Sequence, residues 1–173
     1  MTLHEQILDA LRTIPDPEMP ISIVDLGIIE DVQVNTSRDR EGAEVSITIL
    51  PTFVGCPALD MIRDQVCEKV RGIAGVANVN VRFTYDPPWT VDRISEVGRA
   101  SLKEHGVTVP ASGSNLAVHD QPKLTTQVRT SAVPCPFCES TSTYLDSPFG
   151  PTRCRMIYYC EACRNSFEHM KRV

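Results

Sequence analysis

The chain has 173 residues, room for one ordinary domain plus a small appendix, with a globular share of apolar residues and few aromatics. Its formal net charge of −5 argues against a general binder of nucleic acid or other polyanions. No apolar run approaches the roughly 20 residues needed to span a bilayer, and the opening Met1-Thr2-Leu3-His4-Glu5-Gln6 lacks the regions of a secretion signal, so a cytoplasmic chain is expected.

Thr2 and Glu5 form a capping-box pattern, and Ile7, Leu8, Leu11 and Ile14 supply the apolar stripe of a first helix. Pro15 and Pro17 stop it, which makes Asp16-Pro17-Glu18-Met19-Pro20 an irregular acidic loop. Two strands are predicted next, near 28–35 and 43–50, the second marked by alternating Val45, Ile47 and Ile49. The polar stretch ending in Glu41-Gly42 reads as the hairpin turn between them.

Thr52-Phe53-Val54-Gly55-Cys56-Pro57 leads into a second helix, with Pro57 suited to its first position and Leu59, Ile62, Val66 and Val70 on its apolar face. Gly72 and Gly75 end that helix, and Val79, Val81 and Phe83 alternate as a third strand. An Asp86-Pro87-Pro88-Trp89-Thr90 turn precedes a third helix expected over 91–105, with Gly106 as its C-terminal cap. Periodicity then disappears from about 110 to 132, where the polar composition is that of a linker. The order helix–strand–strand–helix–strand, followed by a cysteine cluster, gives the fold class: α+β with a C-terminal four-cysteine, zinc-ribbon-like module.

Five of the seven cysteines fall in the last 39 residues. Cys135-Pro136-Phe137-Cys138 and Cys160-Glu161-Ala162-Cys163 are two CxxC knuckles separated by 21 residues, a spacing that lets a hairpin converge four thiolates on one ion. Two occupants stand open: structural zinc, which supplies folding energy that so short a segment lacks, and an iron–sulfur cluster, which four cysteines also suit. Cys154 is a fifth thiol where four suffice, readable as a buried strand residue, an alternate ligand or a reactive spare. His169 is readable as a substitute ligand or, more plainly, a surface histidine. From Pro134 to Val173 five basic residues face four acidic ones, too balanced a tail for nucleic acid.

Cys56, between Gly55 and Pro57 at an expected helix start, is a candidate ligand or nucleophile with a lowered pKa. Asp16, Glu18 and Asp25 place carboxylates on a loop that can face this turn, although the special backbone expected at Gly27 explains Asp25-Leu26-Gly27 on structural grounds alone. Cys67, inside the second helix, reads as core. No GxxxxGK[ST] loop and no Ser–His–Asp or Cys–His arrangement is present, which argues against an intrinsic ATPase or hydrolase.

Asp16-Pro17-Glu18-Met19-Pro20, Val24-Asp25-Leu26-Gly27 and Thr52-x-x-Gly55-Cys56-Pro57 resemble, in order and spacing, the small domain of SufT-type and eukaryotic cytosolic iron–sulfur targeting factors. Pro87-Pro88-Trp89-Thr90, Gly106-Val107, Cys135-Pro136-x-Cys138, Phe149-Gly150-Pro151-Thr152-x-Cys154 and Cys160-x-x-Cys163 extend the likeness to the D component of bacterial phenylacetyl-CoA epoxidase systems. The resemblance implies an iron–sulfur-assembly-like domain over 1–110, a linker over 111–132 and a metal-binding ribbon over 133–173. It implies a non-enzymatic accessory that helps assemble or insert iron–sulfur centres for the subunits of that oxygenase system, above all its iron–sulfur reductase. Cys56 would transiently hold or pass iron or a cluster, with Asp16, Glu18 and Asp25 beside it, and a homodimer interface where two copies supply ligands is one arrangement for this. Cys135, Cys138, Cys160 and Cys163 would hold zinc, Cys154 falls on a cysteine of the family, and no membrane partner is implied. The alternative is a structural subunit of the oxygenase whose ribbon is fixed by zinc.

Overall fold

The computed structural model describes residues 1–36, 42–111 and 133–172. The first helix, α1, spans Leu3–Arg12 and its capping box is formed: Glu5 N donates to Thr2 Oγ1 (3.2 Å), and Thr2 N donates to Glu5 Oε2 (2.7 Å). Ile7 and Leu11 on its inner face are fully buried, each contributing roughly 1.5–3 kcal/mol of apolar transfer. Strands β1 (Ile29–Thr36) and β2 (Ala43–Ile49) pair antiparallel, with Val34 opposite Val45. The expected turn between them lies outside the described residues except for Gly42.

Helix α2 (Leu59–Arg71) carries β2 over to β3 (Val76–Phe83), which pairs parallel to β2, so the three-stranded sheet has the order β1-β2-β3. Ile62, Val66 and Val70 of α2 meet Val45, Ile47 and Ile49 of β2 in the core. Trp89 seals one end, its indole N–H donating to the Leu26 carbonyl at 3.1 Å. Pro57 is not the first helical residue: α2 begins at Leu59, leaving Cys56 on the preceding turn.

The third helix departs from its expected span. A short 3-10 turn covers Val91–Arg93, Ile94 is extended, and α3 runs only from Glu96 to Glu104. The physical reason is a stronger local cap than periodicity reveals. Ser95 leaves helical geometry to accept from Gly98 N, and its hydroxyl donates to Asp25 Oδ1 at 2.7 Å.

The ribbon is the hairpin β5 (Thr143–Ser147) and β6 (Arg155–Cys160) followed by β7 (Ser166–Met170). A two-residue strand from the first unit, β4 (Val107–Thr108), joins its edge parallel to β7, giving the order β4-β7-β6-β5. Met170 at the end of β7 packs in the main core with Val107. Gly106 makes the crossing feasible: at φ +77° a side chain is disfavoured, and a Cβ there would lie 2.9 Å from the Phe137 ring. The ribbon's own buried cluster is small, Cys135, Tyr158, Cys160 and Phe167. Two of those four are thiols, so this sheet has too little apolar core to hold itself without further linkage.

Candidate metal centre and a cysteine cleft

Each knuckle sits on a tight turn. Glu139 N donates to Cys135 O, and Cys160 N donates to Asn165 O, with Glu139 and Arg164 both at positive φ. These turns bring the Cys135, Cys138, Cys160 and Cys163 sulfurs to within 4.8 Å of one another. Cys135 and Cys163 Sγ are 3.6 Å apart, as are Cys138 and Cys160 Sγ. Four sulfurs at about 2.3 Å from one tetrahedral ion would stand about 3.8 Å apart, so the donor set fits a single thiophilic ion. A polynuclear cluster spreads its thiolates over separate irons and needs wider spacing. Asn165 Nδ2 donates to Cys163 Sγ at 3.6 Å, fixing the orientation of one prospective ligand.

Cys154 is not part of that set. It immediately precedes β6, whose far end carries Cys160, and six residues of strand put about 20 Å between them. Nor does His169 join it. Instead of lying on the surface it is 9% exposed, Nδ1 is 2.8 Å from Thr108 Oγ1, and its ring meets Tyr158 edge-on. Burial, reinforced by Arg172, pushes its pKa down to about 4.

Cys154 reaches a second place. A cleft of about 210 Å³ is lined by Glu18 from the acidic loop, Thr52, Phe53, Cys56 and Pro57 from the turn before α2, and Pro151 to Cys154 from the ribbon. Gly55 at φ +81° turns the chain so that Cys56 faces it. Two contacts hold the ribbon loop against this wall: Arg155 Nη2 donates to Glu18 O at 3.3 Å, and the Arg153 guanidinium lies 5.7 Å over the Phe53 ring. Within the ribbon, Lys171 N donates to Cys154 O at 2.8 Å. Thr152 Oγ1 and Cys154 Sγ are 3.2 Å apart.

The electrostatics of Cys56 reverse the expected direction. Burial raises its pKa and outweighs the lowering effect of the Ala58 backbone N–H, and the Glu18 and Asp16 carboxylates and the nearby Cys154 sulfur raise it further. Without a cation in the cleft this thiol stays protonated at neutral pH. Burial likewise lifts the Asp16 carboxyl above its ordinary value, against the Glu18 and Met19 backbone N–H groups that favour the charged form. A cation entering here would be attracted by the very charges that disfavour the bare thiolate.

Of the three carboxylates, Glu18 lines the cleft and Asp16 acts on Cys56 through space. Asp25 is elsewhere. Its carboxylate accepts from Ser22 Oγ (2.8 Å) and Ser95 Oγ (2.7 Å), and its carbonyl accepts from Ser95 N, so it ties the loop after α1 to the start of α3. Gly27 beside it has φ +74°, and a Cβ there would lie 2.4 Å from the Arg93 carbonyl oxygen. Cys67 is half-buried against the main core. Reasoning from sequence missed Arg153, Arg155 and Phe53, whose importance lies in a contact between segments about a hundred residues apart; the Phe149-Gly150-Pro151-Thr152 turn was the available signal.

Two family models match this chain. Residues 4–81 match the family model "Iron-sulfur cluster assembly protein", and residues 119–171 match "PaaD zinc beta ribbon domain". A protein of Escherichia coli K12, described as a putative D component of 1,2-phenylacetyl-CoA epoxidase, is 35% identical over 98% of this chain and 92% of its own length. A "Fe-S protein maturation auxiliary factor" of Porphyromonas gingivalis W83 is 39% identical, over 57% of this chain and 90% of that one. The corresponding factor YitW of Bacillus subtilis 168 is 34% identical, over 58% and 93%. The two maturation factors are thus matched over almost their whole length by little more than half of this chain, and the epoxidase-linked relative by nearly all of it.

Proposed function

This chain belongs to the family of phenylacetyl-CoA epoxidase D components, and from that premise we propose that it matures the iron–sulfur protein of such an epoxidase system. Its coarse role, iron–sulfur protein maturation without catalysis, follows from the assembly-family domain and the auxiliary factors related to it. In the finer reading the cytoplasmic client is the reductase subunit, Cys56 receives and passes iron, and the ribbon over 133–173 holds zinc and presents its outer loop to the domain over 1–110. The observation that carries this reading is the cleft where Cys56 meets Glu18, with Asp16 acting on it, a thiol and carboxylates gathered in one place. Zinc is supported by the 3.6 Å sulfur spacings and by the apolar poverty of the ribbon.

The test is co-production of the oxygenase system with the wild-type chain or with Cys56→Ser. Iron and sulfide are then measured on the purified reductase, and zinc on the factor. The expected result is an intact factor with one zinc and a reductase depleted of its cluster. A fully loaded reductase beside the Cys56→Ser chain would refute the reading. Retention of the factor at fixed stoichiometry in the mature oxygenase, with a loaded reductase, would instead assign it a structural place.

A further inference from the structure

We propose that Cys154, delivered by the ribbon, and Cys56, delivered by the assembly domain, are two thiolate ligands of one composite cargo site for sulfide-bearing iron, flanked by Glu18. The inference rests on the maturation reading and adds to it a second ligand and a task for the ribbon.

Four observations converge. The ribbon's ion is complete with Cys135, Cys138, Cys160 and Cys163, since tetrahedral thiophilic sites take four donors, so Cys154 is surplus there. Cys154 is 5% exposed, yet it lines the cleft that Cys56 lines. Its loop is fixed to the wall that carries Cys56 by Arg155 on the Glu18 carbonyl and by Arg153 on Phe53, while Lys171 on the Cys154 carbonyl holds it within the ribbon. Finally, among the described residues the four ribbon thiols are the group of three or more donors drawn together for a single ion, whereas Cys56, Cys154 and Glu18 line a cleft of about 210 Å³. Two thiolates lining such a space suit cargo that presents more than one metal atom, and soft thiolates select iron–sulfur centres over hard cations. Coordination moves no electrons: each thiol loses its proton to solvent and its sulfur lone pair binds iron. Two thiolates and one carboxylate hold the cargo less completely than four thiolates would, which suits a site that must also release it.

The full-length, zinc-loaded chain is incubated anaerobically with ferrous iron and sulfide, desalted, and assayed for retained iron and sulfide. Wild type and Cys67→Ser should retain both elements. Cys56→Ser and Cys154→Ser should each lower retained iron by about ten-fold or more, and the double variant should be no worse than either, with zinc unchanged throughout. Loss in Cys56→Ser with full retention in Cys154→Ser would overturn the composite site and leave the maturation reading standing. Absence of iron from the wild type would also overturn it, while the maturation reading is decided separately by the loading of the client. Because Cys154→Ser removes a buried group, the wild-type chain is also treated with a bifunctional maleimide whose flexible spacer reaches across the cleft. A Cys56–Cys154 bridge in the peptide map is expected, and its absence would refute the pairing without any variant.

Discussion

Replacing Arg155 with Met tests how much stability one buried guanidinium contributes through two contacts inside the ribbon and one to the Glu18 carbonyl of the assembly domain. The Arg155 side chain is 8% exposed and pairs through Nη1 with Glu168, which is 25% exposed; Nε donates to Thr152 Oγ1 at 2.8 Å and Nη2 to Glu18 O. Removing one partner of a buried pair costs about 3–5 kcal/mol, and the partial exposure of Glu168 reduces this to about 2–3. The two other hydrogen bonds add about 0.5–1.5 kcal/mol each, offset in part because Met keeps the packing of the aliphatic stem. The expected loss is about 3 kcal/mol, or about 6–12 °C in Tm for a chain of this size. Thermal and urea unfolding of the zinc-loaded chain reads it, and Glu168→Gln closes a double-mutant cycle. The double variant should be less destabilised than the sum of the singles by about 1 kcal/mol or more. A loss within about 0.5 kcal/mol of zero, the range of ordinary surface changes, would refute the reasoning.

Two further outcomes separate structural from ligating residues. Asp25→Ala strips the Ser22 and Ser95 hydroxyls of their shared acceptor and should cost about 2 kcal/mol in urea unfolding, with iron and zinc loading unchanged; loss of iron at full stability would make Asp25 a ligand after all. His169 is held neutral in the folded chain, its pKa pushed down from 6.5 to about 4 first by burial and then by Arg172. Between those values the unfolded chain binds a proton that the folded chain does not, so the His169 contribution to stability is lost as pH falls through that window. His169→Gln should flatten this slope relative to wild type, and an NMR titration of the imidazole near 6.5 would contradict the burial argument.

Much of the first unit was legible because its signals are local. The Thr2–Glu5 capping box, the Leu59–Ile62–Val66–Val70 stripe and the Val45–Ile47–Ile49 alternation each encode an element within one short window, and each element formed. The third helix is shorter than its periodicity implies because Ser95 caps it by accepting from Gly98 N; the cap is local, but the Asp25 carboxylate that fixes the Ser95 hydroxyl lies seventy residues upstream, outside any window on the helix. The direction of the Cys56 pKa escapes the sequence for a similar reason: proximity to a helix start is visible there, whereas burial and the Asp16 and Glu18 carboxylates are gathered by the fold.

By itself, then, the sequence determined that a ribbon with four convergent thiols ends this chain, because CxxC spacing fixes two sulfurs per turn whatever surrounds them. It left Cys154 beside those thiols on paper. Only the tertiary structure decided that Cys154 belongs to the other end of β6, because a strand's rise carries neighbours in sequence far apart while β4–β7 pairing and Arg155 bring distant segments together.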